Sequence, residues 1–480
     1  MFDLFVGVSN DAVNFLQSAI GAKVAKFRTV LIIASCGVVL GAIMSSGMMD
    51  IARHGIMSPD HFTFEEVMTL FLAVMVTDVI ILDVFNTLGM PTSTTVSLVF
   101  ELLGGAFILA TLKMYGDDSL NYGVLLNSNK ALEVIMGIFS SVIIAFVFGA
   151  FVMWLSRIIF TFNYRKHSRY SIAIFGGIAF TALSYFIFMK GLGKSPYLPA
   201  EVRDYIDQNL GFLICITFVV SAVVMEFLHL CRVNIFKFTV LMGTFALAMA
   251  FAGNDLVNFI GVPVAGFDAY SIARHAGDST ILMEGLNASV PANFLVLMTA
   301  GVIMIVTLWT SKKAMHVTET EISLSTQGES ETQYGSSLFS RTIVRAALNA
   351  SNAIDRTIPK RIRDKISSRF QYEDIEHSGA PYDMIRATVN LTTSAMLISV
   401  ATSLKLPLST TYVCFMVAMG SSLADKAWGR ESAVYRISGV MTVVAGWFIT
   451  AVGGFLIALA MGLILIYGGI AAFVVTTLLC

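Results

Sequence analysis

Apolar residues run along this chain in blocks of about 20 or more, separated by short polar joints, a pattern of long helices rather than of alternating strands. A helix needs about 20 such residues to cross the hydrocarbon core of a bilayer. That ruler places spans near 29–49, 64–88, 91–113, 131–158, 170–192, 209–231, 235–262, 292–310, 384–404, 407–425 and 434–456, with a last one from about 459 to the C-terminus. Ahead of them lies an opening apolar segment too short to cross alone. The expected fold is an all-α polytopic membrane protein with about 12 transmembrane helices.

The pattern lapses between Ser311 and Ala380, where Gly, Ser, Thr and Gln rise. Within it, 341–370 carries Arg341, Arg345, Arg356, Lys360, Arg361, Arg363, Lys365 and Arg369 against only Asp355 and Asp364. The positive-inside rule makes 311–380 a cytoplasmic loop, and Arg157, Arg165, Lys166 and Arg169 mark a second cytoplasmic joint. From Arg341 to Ile354 the basic residues alternate with apolar ones at helical spacing, as in a helix lying on anionic lipid or a solvated linker.

Composition sharpens the class. Of 480 residues 56% are hydrophobic and 13% charged, with mean hydropathy +0.77, against roughly a quarter charged in soluble domains. The net charge of −1 gives no basic face for a nucleic-acid partner. The five cysteines have neither CxxC spacing nor paired histidines, so they indicate no zinc site and no disulfide framework. A phosphate-cradling Walker pattern is absent from the sequence, which speaks against ATP-driven transport.

Two polar phrases are each written twice inside apolar runs. Ser9-Asn10-Asp11-Ala12-Val13-Asn14-Phe15 returns as Gly253-Asn254-Asp255-Leu256-Val257-Asn258-Phe259. Gly89-Met90-Pro91-Thr92-Ser93-Thr94-Thr95 returns as Lys405-Leu406-Pro407-Leu408-Ser409-Thr410-Thr411. Asp11 to Pro91 is 80 residues and Asp255 to Pro407 is 152; the difference of 72 matches the 70 residues of 311–380. The halves therefore register as 1–234 and, interrupted by the loop 311–380, 235–310 with 381–480. Counting spans, the second copy starts an odd number after the first and is inverted, so substrate and coupling ions are expected near the midplane between repeats with interrupted, re-entrant helices. The short approach to Asn10 suggests a first helix extending roughly a dozen residues further upstream, and the apolar C-terminus suggests a continuation there too.

A charge at membrane depth costs several kcal/mol, so intramembrane carboxylates point to function. Asp and the second Asn, three apart, share a helix face and offer oxygens to a hard cation. A helix starting Pro-x-Ser-Thr-Thr, with proline at its first position, offers N–H groups, a positive dipole end and hydroxyls to an oxyanion. Carboxylates beside such an anion need a cation between them, the physical basis of symport. Asp78, Asp83 and Glu101 put further charge in these spans of the first half only, beside the polar Asn86, which makes Asp83 with Asn86 a candidate cation site. An intramembrane hydrolase has no activating base in these spans.

In these phrases the sequence resembles the inorganic phosphate transporter (PiT) family, with VSNDAVNFLQSAIG, FAGNDLVNFIG, GMPTSTTVS and KLPLSTTYV standing for its paired signatures. The resemblance implies an inverted-repeat bundle that carries inorganic phosphate with Na+ or H+, has no other cofactor, and sits as a multi-pass protein in the cytoplasmic membrane; a homodimer is compatible with it. It assigns Asn10, Asn14, Ser93, Thr94, Thr95, Asn254, Asn258, Ser409, Thr410 and Thr411 to substrate, and Asp11 and Asp255 to the cation. Val96 and Tyr412 stand where the family's second signature usually closes on histidine, which weakens a proton relay and favours Na+. Sulfate remains the rival substrate, and a non-transporting receptor or scaffold the rival of another class.

Overall fold

The computed structural model describes residues 1–44, 51–162, 169–185, 199–288, 293–326, 341–342, 345, 359–370, 379–403, 408–425 and 430–479. The first half contains α1 (Phe2–Asp11), α2 (Val13–Gly21), α3 (Phe27–Met44), α4 (Phe64–Leu88), α5 (Thr94–Gly116), α6 (Ser128–Phe160), α7 (Arg169–Ser184) and α8 (Leu210–Leu230). The second contains α9 (Ile235–Asn254), α10 (Leu256–Ala276), α11 (Phe294–Thr310), α12 (Lys312–Ser325), α13 (Met384–Ser403), α14 (Thr410–Ala424) and α15 (Arg430–Leu479). Among the described residues β-pairing is limited to two isolated bridges.

Seven stretches of the described chain are long and apolar enough to cross a membrane, or eight if the bent pair α11–α12 is one span; α3, α7 and α14 are apolar but shorter. The described residues do not confirm a count of twelve, and they move two expected boundaries. The spans 434–456 and 459 onward run unbroken through that joint in α15, and the break comes instead at Gly469, φ 55°, a kink between two helices. The chain there has Gly and Ala but no proline or polar run to stop it. The polar loop expected from 311 instead begins as a helix: α12 bends 68° from α11, and the Ser311 hydroxyl caps it by accepting from Ala314 N at 3.2 Å. Val317, Thr318 and Glu321 are fully buried, because α12 packs on α2 and α1 rather than in solvent. Most of the basic stretch 341–358 and the joint around Arg165 and Lys166 lie outside the described residues.

Helix pairs approach through glycine. A Cβ on Gly37 or Gly41 of α3 would stand 2.4 or 2.2 Å from carbonyl oxygens of α9, and one on Gly149 of α6 or Gly420 of α14 would stand 2.6 or 2.2 Å from the facing backbone. Where lipid is as apolar as the side chains, such close backbone packing holds helices together.

One end of the bundle is tied by buried charge. Arg157 on α6 donates to Asp425 at 2.5 and 2.8 Å and to Asp383 at 2.8 and 3.3 Å. Arg386 on α13 reaches Asp425 at 2.6 and 3.1 Å and also donates to the Ser325 carbonyl at the end of α12. Arg157 is thus an internal clasp with no exposed surface, not the loop charge its neighbours in sequence suggest. Two guanidiniums facing two carboxylates are neutral as a set, and removing one carboxylate strands buried charge. Asp425→Asn is expected to cost about 3–5 kcal/mol, read as a fall in thermal midpoint of the purified protein in detergent; an unchanged midpoint contradicts the clasp.

Candidate functional site

The hairpin α4–α5 turns by local chemistry. Gly89, φ 66°, ends α4, with Gly89 N donating to Asn86 O and Met90 N to Phe85 O, the paired bonds of a glycine-stopped helix. After Met90–Thr92 the chain restarts as α5, and Ser93 is its cap, accepting from Val96 N at 3.2 Å. Ser409 caps α14 in the same extended conformation by accepting from Tyr412 N at 3.2 Å. Pro91 therefore lies two residues before the cap rather than at the first helical position, and its carbonyl accepts from Trp447 Nε1 at 3.0 Å. Pro407 lies outside the described residues. With serine at the cap, Thr94-Thr95 and Thr410-Thr411 fall in the first turn, where backbone N–H groups have no partner within the helix.

Both tips meet the Asn-Asp phrases. The Thr94 hydroxyl donates to Asp11 at 2.9 Å and the Thr410 hydroxyl to Asp255 at 2.7 Å, each within its own half. Asn14 Nδ2 donates to the Thr411 hydroxyl at 3.0 Å and Asn258 Nδ2 to the Thr95 hydroxyl at 2.9 Å, each across the halves. This exchange is reciprocal, as a pseudo-twofold relation between repeats requires. Thr411 also donates to Asp11 at 2.7 Å, so neighbouring hydroxyls of one tip hold both aspartates. Asp11 is fully buried and Asp255 is 5% exposed. Among the described residues, these aspartates and threonines bond to hydroxyls and amides rather than to lysine or arginine, so their negative charge is met by dipoles alone.

Three expected site residues are placed differently. Asn10 accepts from Thr92 N at 2.8 Å and donates to Asn86 Oδ1 at 2.8 Å and Met90 O at 3.2 Å. Both its donor hydrogens are spent on a loop clamp, so none remains for an anion. Asn86 is the second member of that clamp, donating to Val6 O at 2.7 Å. Asp83 is on the outer side of α4, 48% exposed and paired with Lys313 at 2.5 Å. A residue pair three apart serves one site only when both point inward, and here the lysine draws Asp83 out. The Asn254 side chain lies outside the described residues. Sequence reasoning missed the polar row below Asn14: Tyr382 Oη donates to Gln17 O at 2.8 Å and Oε1 at 2.9 Å. It also missed Ser9, whose hydroxyl lies 2.7 Å from that of Ser311. Ser9, Gln17 and Ser18 as polar positions in apolar helices were the available signal.

A cavity of about 180 Å³ between α5, α6, α14 and α15 is lined by Val96, Phe100, Phe139, Tyr412 and Trp447 among others. It lies behind the tips, and its apolar walls give an anion nothing to bind.

A sequence model described as the phosphate transporter family matches residues 7–327. A putative phosphate permease of Helicobacter pylori is 24% identical over 320 residues, covering 63% of this chain and 55% of that protein. One of Pyrococcus furiosus is 24% identical over 276 residues, covering 55% and 62%. The chain thus spans less than two thirds of the length of these curated relatives. A solved structure, the sodium-dependent phosphate transporter, aligns with TM-score 0.61 and 16% identity over 97% of this chain and 96% of that one; at that identity the likeness establishes the fold. The Asn10 clamp makes its own prediction: Asn10→Ala strands Thr92 N and Met90 O. A loss of about 1–3 kcal/mol is expected for stranded buried groups, together with new proteolysis between Leu88 and Ser93. A tip as stable and protected as wild type would refute the clamp.

Proposed function

The chain belongs to the phosphate transporter family, and on that footing we propose that it is a secondary active symporter of inorganic phosphate and Na+, a multi-pass protein of the cytoplasmic membrane, not an enzyme. The observation that carries the reading is the pair of buried aspartates held by adjacent hydroxyls of one helix tip, Thr410 and Thr411. Asp11, Asp255, Thr94, Thr410 and Thr411 offer oxygen only, and Asn14 Oδ1 is a further buried oxygen without a hydrogen-bond donor. Oxygen ligands with no sulfur or imidazole suit a hard cation.

The mechanism follows from charge. Two carboxylates in a low-dielectric site repel an oxyanion until a cation stands between, and two unit charges 4 Å apart interact by about 4 kcal/mol at an effective dielectric constant near 20. Na+ drawn to Asp11 and Asp255 frees the Thr94, Thr410 and Thr411 hydroxyls from the carboxylates. The hydroxyls, with the first N–H groups of α5 and α14, then face the anion as donors. Asn14 and Asn258 reach across the halves and register one tip against the other. Phosphate without Na+ meets bare carboxylates, and Na+ without phosphate leaves the tip donors unmet, so the two travel together. The site between repeats is then exposed alternately to either side as the halves rock. The names of the related permeases and of the aligned sodium-dependent transporter support this choice of ions.

The test is uptake of labelled phosphate into proteoliposomes with Na+ and pH gradients imposed separately. Na+-driven uptake resistant to excess sulfate is expected. Strong sulfate inhibition overturns the substrate, and dependence on pH alone overturns the coupling ion. Asp11→Asn and Asp255→Asn each remove a charge-assisted contact of about 1.5–3 kcal/mol and should cut uptake roughly tenfold or more. Full uptake by both variants would take the aspartates out of the transport site, and no uptake by the wild-type protein would favour a scaffold.

A further inference from the structure

The cavity of about 180 Å³ behind the two tips, between α5, α6, α14 and α15, has no part in the transport reading. Its floor is made by the tips themselves. Val96 and Tyr412 line it, and they directly follow Thr94-Thr95 and Thr410-Thr411, at the same offset of 316 that separates Ser93 from Ser409. Each also donates its backbone N–H to the capping serine, at 3.2 Å in both halves. The two first turns therefore carry threonine hydroxyls toward the aspartate site and present their next side chain, valine or tyrosine, to this cavity. Trp447 of α15 completes the floor: its ring stacks on Tyr412 with centroids 3.8 Å apart, and its Nε1 donates to Pro91 O at 3.0 Å.

The opposite side opens outward. Phe139 and Ile143 of α6 and Phe448 of α15 line the cavity and are exposed, whereas Val96, Tyr412 and Trp447 are 4%, 3% and 5% exposed. The Phe139 and Phe448 rings stack with centroids 5.4 Å apart and join the two helices at this rim. α6 and α15 leave most of their spans uncovered by protein, where α5 has most of its span covered. Neither helix carries an ionisable residue along the stretch that borders the cavity, 134–156 on α6 and 437–466 on α15. The rim is therefore lipid-facing, and it has no charge with which to hold a headgroup or an anion.

Water does not suit such walls, because a buried water needs about two to four hydrogen bonds. An unfilled space forfeits the packing of the side chains around it. An apolar cavity of about 150 Å³ takes a molecule the size of benzene, so this one has room for a short piece of hydrocarbon. In a soluble protein such a space waits for a ligand. Here the solvent at the rim is itself hydrocarbon, as apolar as the lining.

We propose that the cavity binds the end of a lipid acyl chain, which enters between α6 and α15 past Phe139, Ile143 and Phe448 and stops against Val96, Tyr412 and Trp447. A chain seated there fills the space behind both tips and backs the Tyr412–Trp447 stack against Pro91. Close-packed interiors transmit displacement, so the occupant bears on the hydroxyls one residue away. That influence on uptake rests on the proposed symport; the binding itself does not.

Trp447 is the reporter for the test. The chain has four tryptophans, and Trp154→Phe, Trp309→Phe and Trp428→Phe leave Trp447 alone in the otherwise full-length protein. This chain is reconstituted in phosphatidylcholine vesicles with plain or brominated acyl chains, bromine being a short-range quencher of indole fluorescence. Brominated lipid is expected to quench most of the Trp447 emission. Ala451→Phe on α15 and Val142→Phe on α6, each filling the cavity from its own wall, are expected to restore most of it. Equal emission in plain and brominated vesicles overturns the proposal, as does quenching that neither filling variant reduces. Should Ala451→Phe fail to fold, Val142→Phe decides alone. If filling removes the quenching but wild-type protein takes up no phosphate, the symport reading falls and the lipid site stands.

Discussion

Everything in this molecule is arranged around holding two carboxylates where water is absent. Asp11 and Asp255 are buried from both solvent and lipid, and the groups that answer them among the described residues are threonine hydroxyls and an asparagine amide. Such donors satisfy a carboxylate without neutralising it. A guanidinium in their place would close the site as a permanent ion pair, in the way Arg157 and Arg386 close on Asp425 at the end of α14. The protein thus uses full charge compensation where it needs a fixed joint and incomplete compensation where it needs a site.

Partial compensation demands that the donors be placed firmly, and most of the surrounding structure serves that end. The first tip is gripped from three sides. Asn10 of α1 binds its backbone on both edges, Trp447 of α15 donates to Pro91 O, and the Thr92 and Thr450 hydroxyls lie 2.7 Å apart. Trp447 also stacks on Tyr412 of the second tip, ring centroids 3.8 Å apart, so α15 ties the two tips to each other. Short loops at membrane depth are tolerated only where such contacts satisfy their backbone groups.

How much of this was legible in the sequence differs from one physical layer to the next. The duplicated phrases made Asp11, Asp255, Asn14, Asn258 and the four threonines readable, because polar groups repeated at fixed spacing in apolar surroundings are costly unless specific contacts hold them. Asn10 sits in the same phrase, yet its partners are backbone atoms of a loop 80 residues away, which no side-chain pattern announces. The pairing of Asp83 with Asn86 fails on helix phase: Asn86 is buried, whereas Asp83 is 48% exposed and paired with Lys313. A helix apolar all round gives no inward stripe to read. α12 misled for the opposite reason: its polar residues looked solvated, but Thr318, Glu321 and Ser325 are buried against helices that are themselves polar around Gln17 and Ser18.

Symmetry and its breaking then divide the work. What is duplicated, the aspartate with its own tip threonine and the asparagine with the opposite one, must serve both faces of the membrane equally, since exchange of the halves carries each contact into its counterpart. A site made only of duplicated parts would have no built-in preference between facing one side and facing the other. The second hydroxyl contact of Asp11, from Thr411, has no reciprocal bond from Thr95 to Asp255 among the described residues. The buried acids at Asp3, Asp78 and Glu101 correspond to Leu247, Ser394 and Val417 in the other repeat. Both differences involve residues of the first repeat, on α1, α4 and α5. The duplicated core supplies the contacts common to both repeats.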